Sequence, residues 1–101
     1  MRVTVDAAAR ADADRAVRFY KQKSKRVAAA FADEVEAAIR RIGPSPRRFA
    51  PVEDAPGSCE VREVYIHRFQ QRVLFRVVGD EVRVFAVVHA SAGPDRWLDR
   101  L

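Results

Sequence analysis

Between Pro44 and Ser58 the sequence changes its hydrophobic period, and that change limits what the chain can fold into. Upstream, apolar residues recur every three to four positions; downstream they alternate one by one. The joining segment, PSPRRFAPVEDAPGS, holds four of the five prolines and reads as a long surface connection with no strand of its own. Two helices followed by an antiparallel sheet predict an α+β fold with about four strands and a helical hairpin on one sheet face.

The upstream half begins with Arg2–Val5, short and β-branched, which suits a first strand. Asp6 occupies the N-cap position of a helix whose inward stripe is Ala9, Ala13, Ala16/Val17 and Tyr20. Ser24 caps a second helix with the stronger stripe Val27, Phe31, Val35, Ala38/Ile39 and Ile42. Gly43 then Pro44 stops it, glycine accepting a left-handed cap and proline ending the ladder. So short a connection predicts an antiparallel pair, and the alanines of the first helix allow close approach.

Downstream, Cys59–Ile66, Arg72–Val78 and Glu81–His89 read as strands, the last two joined by the two-residue turn Gly79-Asp80. Alternation places Val82, Val84, Ala86 and Val88 on one face of the last strand and Arg83, Phe85, Val87 and His89 on the other. In the middle strand Val73, Phe75 and Val77 oppose Arg72, Leu74, Arg76 and Val78. One sheet face is core. The other mixes aromatic, aliphatic and arginine side chains, which suits cover by the proline-rich loop and a partner groove equally well.

The 101 residues fit one domain, 1–101, and no apolar run reaches the ~20 residues of a membrane span. Aspartates stand where a signal peptide would need an apolar block, so the protein is expected in the cytoplasm. The net charge of +5 favours an acidic partner, and residues 1–43 carry +4 of it. All three lysines lie in KQKSKR, which reads as a solvated turn. Asp33, Glu34 and Glu36 read as a solvated helix face, and the lone Cys59 as half-buried packing, so neither metal nor cofactor is expected.

Four stretches carry a family resemblance. RAVRFYKQKS ends a helix on a tyrosine and a polar turn; AAAFADEVEAAIRRIGPSP runs A-x-x-F into an apolar-spaced helix that stops near proline. VREVYIHRFQQRVLFRVVGDEVRVFAVVHA supplies the strand rhythm, and PDRWLDRL the ending. Together they resemble the RelE/ParE superfamily of bacterial type II toxins over nearly the whole chain. The resemblance implies one of two chemistries: ribosome-dependent mRNA cleavage in RelE-like members, or inhibition of DNA gyrase by protein contact in ParE-like members.

A metal-free ribonuclease needs a base, cations for the phosphorane and an acid for the leaving oxygen. RelE-like enzymes take part of this set from an arginine after the last strand and a C-terminal tyrosine. Here that loop reads Ala90-Ser91-Ala92-Gly93, and the tail offers Trp97 and Leu98. Indole has no proton to exchange near neutral pH. A reduced nuclease site would have to use His67, Arg68, Arg72 and His89. The ParE-like reading is therefore preferred, ahead of the nuclease and of a plain nucleic-acid or protein binding module.

The resemblance further implies a cognate antitoxin: a small acidic ParD-like protein with an N-terminal DNA-binding module and a C-terminal segment that wraps the toxin. Alternation and charge nominate Tyr20, Phe31, Arg72, Arg76, Arg83, Phe85, His89 and Trp97 as partner contacts. Pro94 is expected to start a terminal turn that lays Trp97 against the sheet or the helices.

Overall fold

The computed structural model describes residues 1–101. Strand β1 (Arg2–Val5) leads into helix α1 (Ala7–Lys21) and helix α2 (Lys25–Ile42). Strand β2 (Ala50–Pro51) follows, then β3 (Glu60–Ile66), β4 (Gln71–Val78) and β5 (Glu81–His89). The sheet order is β1-β5-β4-β3-β2, with β1 parallel to β5 and every other pair antiparallel. The fold is α+β, with five strands where about four were expected. The additional one lies inside the proline-rich connection: Ala50 and Pro51 pair with Glu63 and Arg62. Proline is tolerated there because β2 is an edge.

Two turn residues, Asp6 and Gly43, behave differently from their sequence roles. Asp6 has extended dihedrals but makes no cap bond; its carboxylate binds Arg83 instead, at 3.0 and 3.2 Å. Ser24 does cap α2, its hydroxyl accepting from the Val27 N–H at 3.2 Å. Gly43 is right-handed (φ −52°, ψ −48°), not left-handed. The need for glycine there is spatial: a Cβ would sit 3.2 Å from the Met1 carbonyl oxygen, and the Met1 ammonium donates to the Gly43 carbonyl at 2.9 Å. Gly79, at φ 61°, does carry the left-handed conformation its two-residue hairpin requires.

Between the helical hairpin and the sheet, Phe31, Val35, Ala38 and Ile42 of α2 meet Val73, Phe75, Val82 and Val84. At the hairpin end the rings of Tyr20, Phe31 and Phe69 meet with centroids 5.1–5.2 Å apart. Burial on this scale, at about 25 cal/mol per Å² of apolar surface, is what holds the helices down. A second cluster lies on the opposite face: Val52, Val61, Leu74, Phe85, Ala86 and Trp97. The mixed face is thus covered from within the chain, by Val52 of the connection and by the tail. Two 3₁₀ turns, Pro94–Arg96 and Leu98–Arg100, lay Trp97 on Phe85 with centroids 6.0 Å apart.

Simple alternation fails in β5. Leu74 pairs with Ala86 but Phe75 pairs with Val84, so Phe85 is an extra residue, a β-bulge. Beyond it every side chain changes face. Val87 joins Val82 and Val84 under the helices, whereas Ala86 and Val88 pack with Phe85 on the other side. The expected sets, Ala86 and Val88 inward and Val87 outward, are corrected accordingly.

Candidate functional site

The bulge lies beside a cleft bordered by Val87, Val88 and His89 of β5. Beyond Val84, β1 has ended and no strand continues the ladder along this edge of β5. Side chains take over its bonds. Asp12 of α1 accepts the Val87 N–H at 2.9 Å, and Arg100 donates to the Phe85 carbonyl at 3.0 Å. The two are themselves joined by bonds of 2.6 and 3.1 Å, and Arg15 completes the carboxylate's shell at 2.6 Å. Asp12 is 7% exposed, and four donors on it explain how its charge is accommodated there. This bonding to Asp12 also raises the pKa of Arg100 above its ordinary value. Asp12 and Arg100 were not among the sequence candidates. A lone polar residue within an alanine-rich stripe was the only signal available.

The cleft beside this pair has a volume of about 450 Å³ and is lined by Arg15, His89, Ser91, Gly93, Arg96 and Arg100, among others. His89 is exposed at its mouth. The Ser91 backbone N–H donates to His89 Nδ1 at 3.1 Å, and the Ser91 hydroxyl lies 2.7 Å from the same nitrogen. An acceptor Nδ1 leaves Nε2 as the protonated nitrogen of the neutral ring. Gln70 anchors the loop from the other side. It is left-handed at φ 53°, bonds Tyr65 and the His67 carbonyl through its amide, and accepts the Ala90 N–H at 2.7 Å. A non-glycine residue in that conformation costs about 1 kcal/mol, which these bonds offset.

The four nuclease candidates are not brought together. His67 and Arg68 line a groove between α2 and β3 with Glu34 and Arg41. Arg72 lines a separate recess with Glu53, Asp54 and Glu63, and is bonded to Glu63 at 2.7 and 3.2 Å. His89 lines the third cleft.

The partner candidates divide by burial. Phe31, Phe85 and Trp97 are core residues at 0%, 2% and 1% exposure, so they offer no surface in this chain. Alternation had turned Phe85 outward; the folded tail covers it. Trp97 is buried with its Nε1–H unpartnered. Tyr20 is half-buried in the aromatic cluster. Arg83 is exposed and faces Arg76 directly across β4 and β5. Asp6, Arg76, Arg83, Phe85 and Arg100 form a small recess there, with Asp6 its one carboxylate.

Of the carboxylates set aside as a helix face, Asp33 is exposed and Glu36 pairs with Arg10. Cys59 is free and half-buried. No helix is long and apolar enough to cross a membrane.

Comparison with known proteins bears on this architecture. No curated protein sequence matches the chain. Among solved structures it is similar to a chain of the chromosomal ParDE TA system from P. aeruginosa, with a TM-score of 0.74 and 24% identity. That match covers 88% of this chain and 95% of the other, and it shows a shared fold. A family model described as the ParE toxin of type II toxin-antitoxin system, parDE, matches residues 3–93. Spanning strand β1 through the loop that follows β5, that match places the chain in the ParE toxin family of type II toxin–antitoxin systems.

Proposed function

We propose that this protein inhibits DNA gyrase by protein–protein contact and is neutralised by a cognate ParD-like antitoxin. The supporting observation is the dispersal of its acid–base and cationic side chains. His67 with Arg68, Arg72, and His89 line three different recesses, and the loop 90–93 after β5 carries no cation. A phosphoryl-transfer site needs those groups converging on one scissile phosphate. A contact inhibitor needs only a shaped, charged surface. The basic recess at Arg76 and Arg83 suits an acidic antitoxin segment that folds as it binds.

The test is a supercoiling assay with purified gyrase and saturating toxin. Accumulated cleaved DNA–gyrase complex, reversed by the antitoxin, is the expected result. Normal supercoiling would overturn the proposal. Cleavage of mRNA only when ribosomes are present would assign the protein to the RelE-like chemistry instead.

A further inference from the structure

Eight ion pairs engage eight of the sixteen arginines, and Arg76 of the sheet and Arg96 of the tail are in none of them. None of them involves Arg18, Lys21, Lys23, Lys25 or Arg26, the five cations clustered where α1 turns into α2. From residue 18 to residue 26 there is no carboxylate. The segment includes every lysine of the chain, whereas the ion-paired cations elsewhere are all arginine. Arginine is the better partner for fixed, two-pronged contacts, whereas lysine is a flexible, strongly hydrated point charge held to no one geometry; both neutralise a phosphate backbone.

Two further features separate this tip from an ordinary solvated turn. Lys25 and Arg26 open α2, where the helix dipole favours acidic residues, and its first turn has none. Their position therefore works against helix stability. Phe19 is 54% exposed, the most exposed large apolar side chain of the molecule, with the Lys23 ammonium 5.6 Å from its ring centroid. Tyr20 meets its edge at 5.4 Å and continues to Phe69, over which lies the unpaired guanidinium of Arg68. None of the recesses in the surface includes a residue of this tip. An exposed, lysine-rich surface outside every recess, with one half-exposed aromatic ring, fits an extended polyanion with flat apolar faces, and no enclosed small ligand.

We propose that the tip of the helical hairpin, residues 18–26, binds single-stranded nucleic acid, its cations tracking the phosphates and Phe19 stacking on an unpaired base. Lysine charge supplies affinity without sequence preference, and the ring supplies the preference for unpaired strands. This surface is separate from the three recesses that hold the candidate site, and the assignment does not depend on which target the toxin arrests.

The test uses the full chain alone and a fluorescein-labelled 20-nucleotide oligo-dT, read by anisotropy between 50 and 200 mM salt. Five phosphate contacts predict a slope of log K against log salt near about −3.5. The variant K21Q/K23Q/K25Q should reduce that slope by about 2 and weaken binding by at least about tenfold at the lowest salt. Phe19→Ala, an exposed change, should lose about tenfold with the slope unchanged. Arg40→Gln, near the opposite end of α2, should alter neither. The proposal is overturned by absence of oligonucleotide binding at 50 mM salt, or by a triple-lysine variant that binds like the parent. A duplex bound as tightly as the single strand with no effect of Phe19→Ala also overturns it. So does lysine-dependent binding to phosphatidylserine vesicles without binding to the oligonucleotide.

Discussion

Arg100 and Asp12, 88 positions apart in sequence, are joined by a two-pronged ion pair of 2.6 and 3.1 Å. Each partner also binds β5, at the Phe85 carbonyl and the Val87 N–H, so the pair stands in for a strand the sheet lacks along that edge. The tail is thereby fastened to α1 and to the bulge together. Trp97, three residues before Arg100, is held over Phe85 by the same attachment.

Asp12→Ala should cost about 3 kcal/mol of stability, because it leaves a partly buried guanidinium and a strand N–H without their acceptor. Arg100→Ala should cost less, since Arg15 continues to neutralise Asp12. Urea unfolding followed by Trp97 fluorescence measures both. Equal, small losses would mean that the pair does not fasten the tail.

The unpartnered Nε1 of Trp97 makes a second prediction. Trp97→Phe keeps an aromatic ring against Phe85 and removes a donor that has no acceptor, so it should cost no more than about 1 kcal/mol. Trp97→Ala empties the second core and should cost about 3–5 kcal/mol. Calorimetric melting of the two variants separates these outcomes. Comparable losses would show that the indole N–H is engaged.

Gly43→Ala tests the right-handed helix end. Alanine favours the helix by about 1 kcal/mol over glycine, while the new methyl presses on the Met1 carbonyl. The two effects should nearly cancel, within about 0.5 kcal/mol of the parent in chemical denaturation. A loss well above about 1 kcal/mol would show that the Met1 carbonyl does not give way to the methyl.

Acid should weaken the attachment of the connection to the sheet. Hydrogen bonds from Arg47 first, and then from Arg62, lower the Glu60 carboxyl pKa from its ordinary value of 4.5. Its stabilising contribution is complete above that value and disappears as pH falls through the lower folded-state pKa. Arg62 also donates to the Phe49 carbonyl at 2.7 Å, so the connection should loosen with it. Glu60→Gln should flatten the fall in melting temperature between about pH 5 and pH 3. Parallel acid profiles for parent and variant would contradict this.

Local pattern carried the elements whose causes are local. The stripe Phe31, Val35, Ala38 and Ile42 is buried as its spacing required. Ser24 caps α2, and Gly79-Asp80 closes its hairpin. Where one residue answers to two parts of the chain, pattern reading failed. Phe85 reads as the next step of an alternating strand, but one additional residue opposite Leu74 and Phe75 reverses all that follows. Ala50 and Pro51 have no strand signal, and they pair because β3 offers a free edge.

Composition and periodicity by themselves determined the two layers, the helical hairpin and the basic turn, since propensity, amphipathic spacing and charge act within a few residues. Tertiary structure alone decided which face of β5 looks inward beyond the bulge, and that His67, Arg72 and His89 line separate recesses. It alone joined Asp12 to Arg100. The physical reason is that a buried carboxylate draws its stability from donors that only the closed fold can bring within 3 Å or so of it.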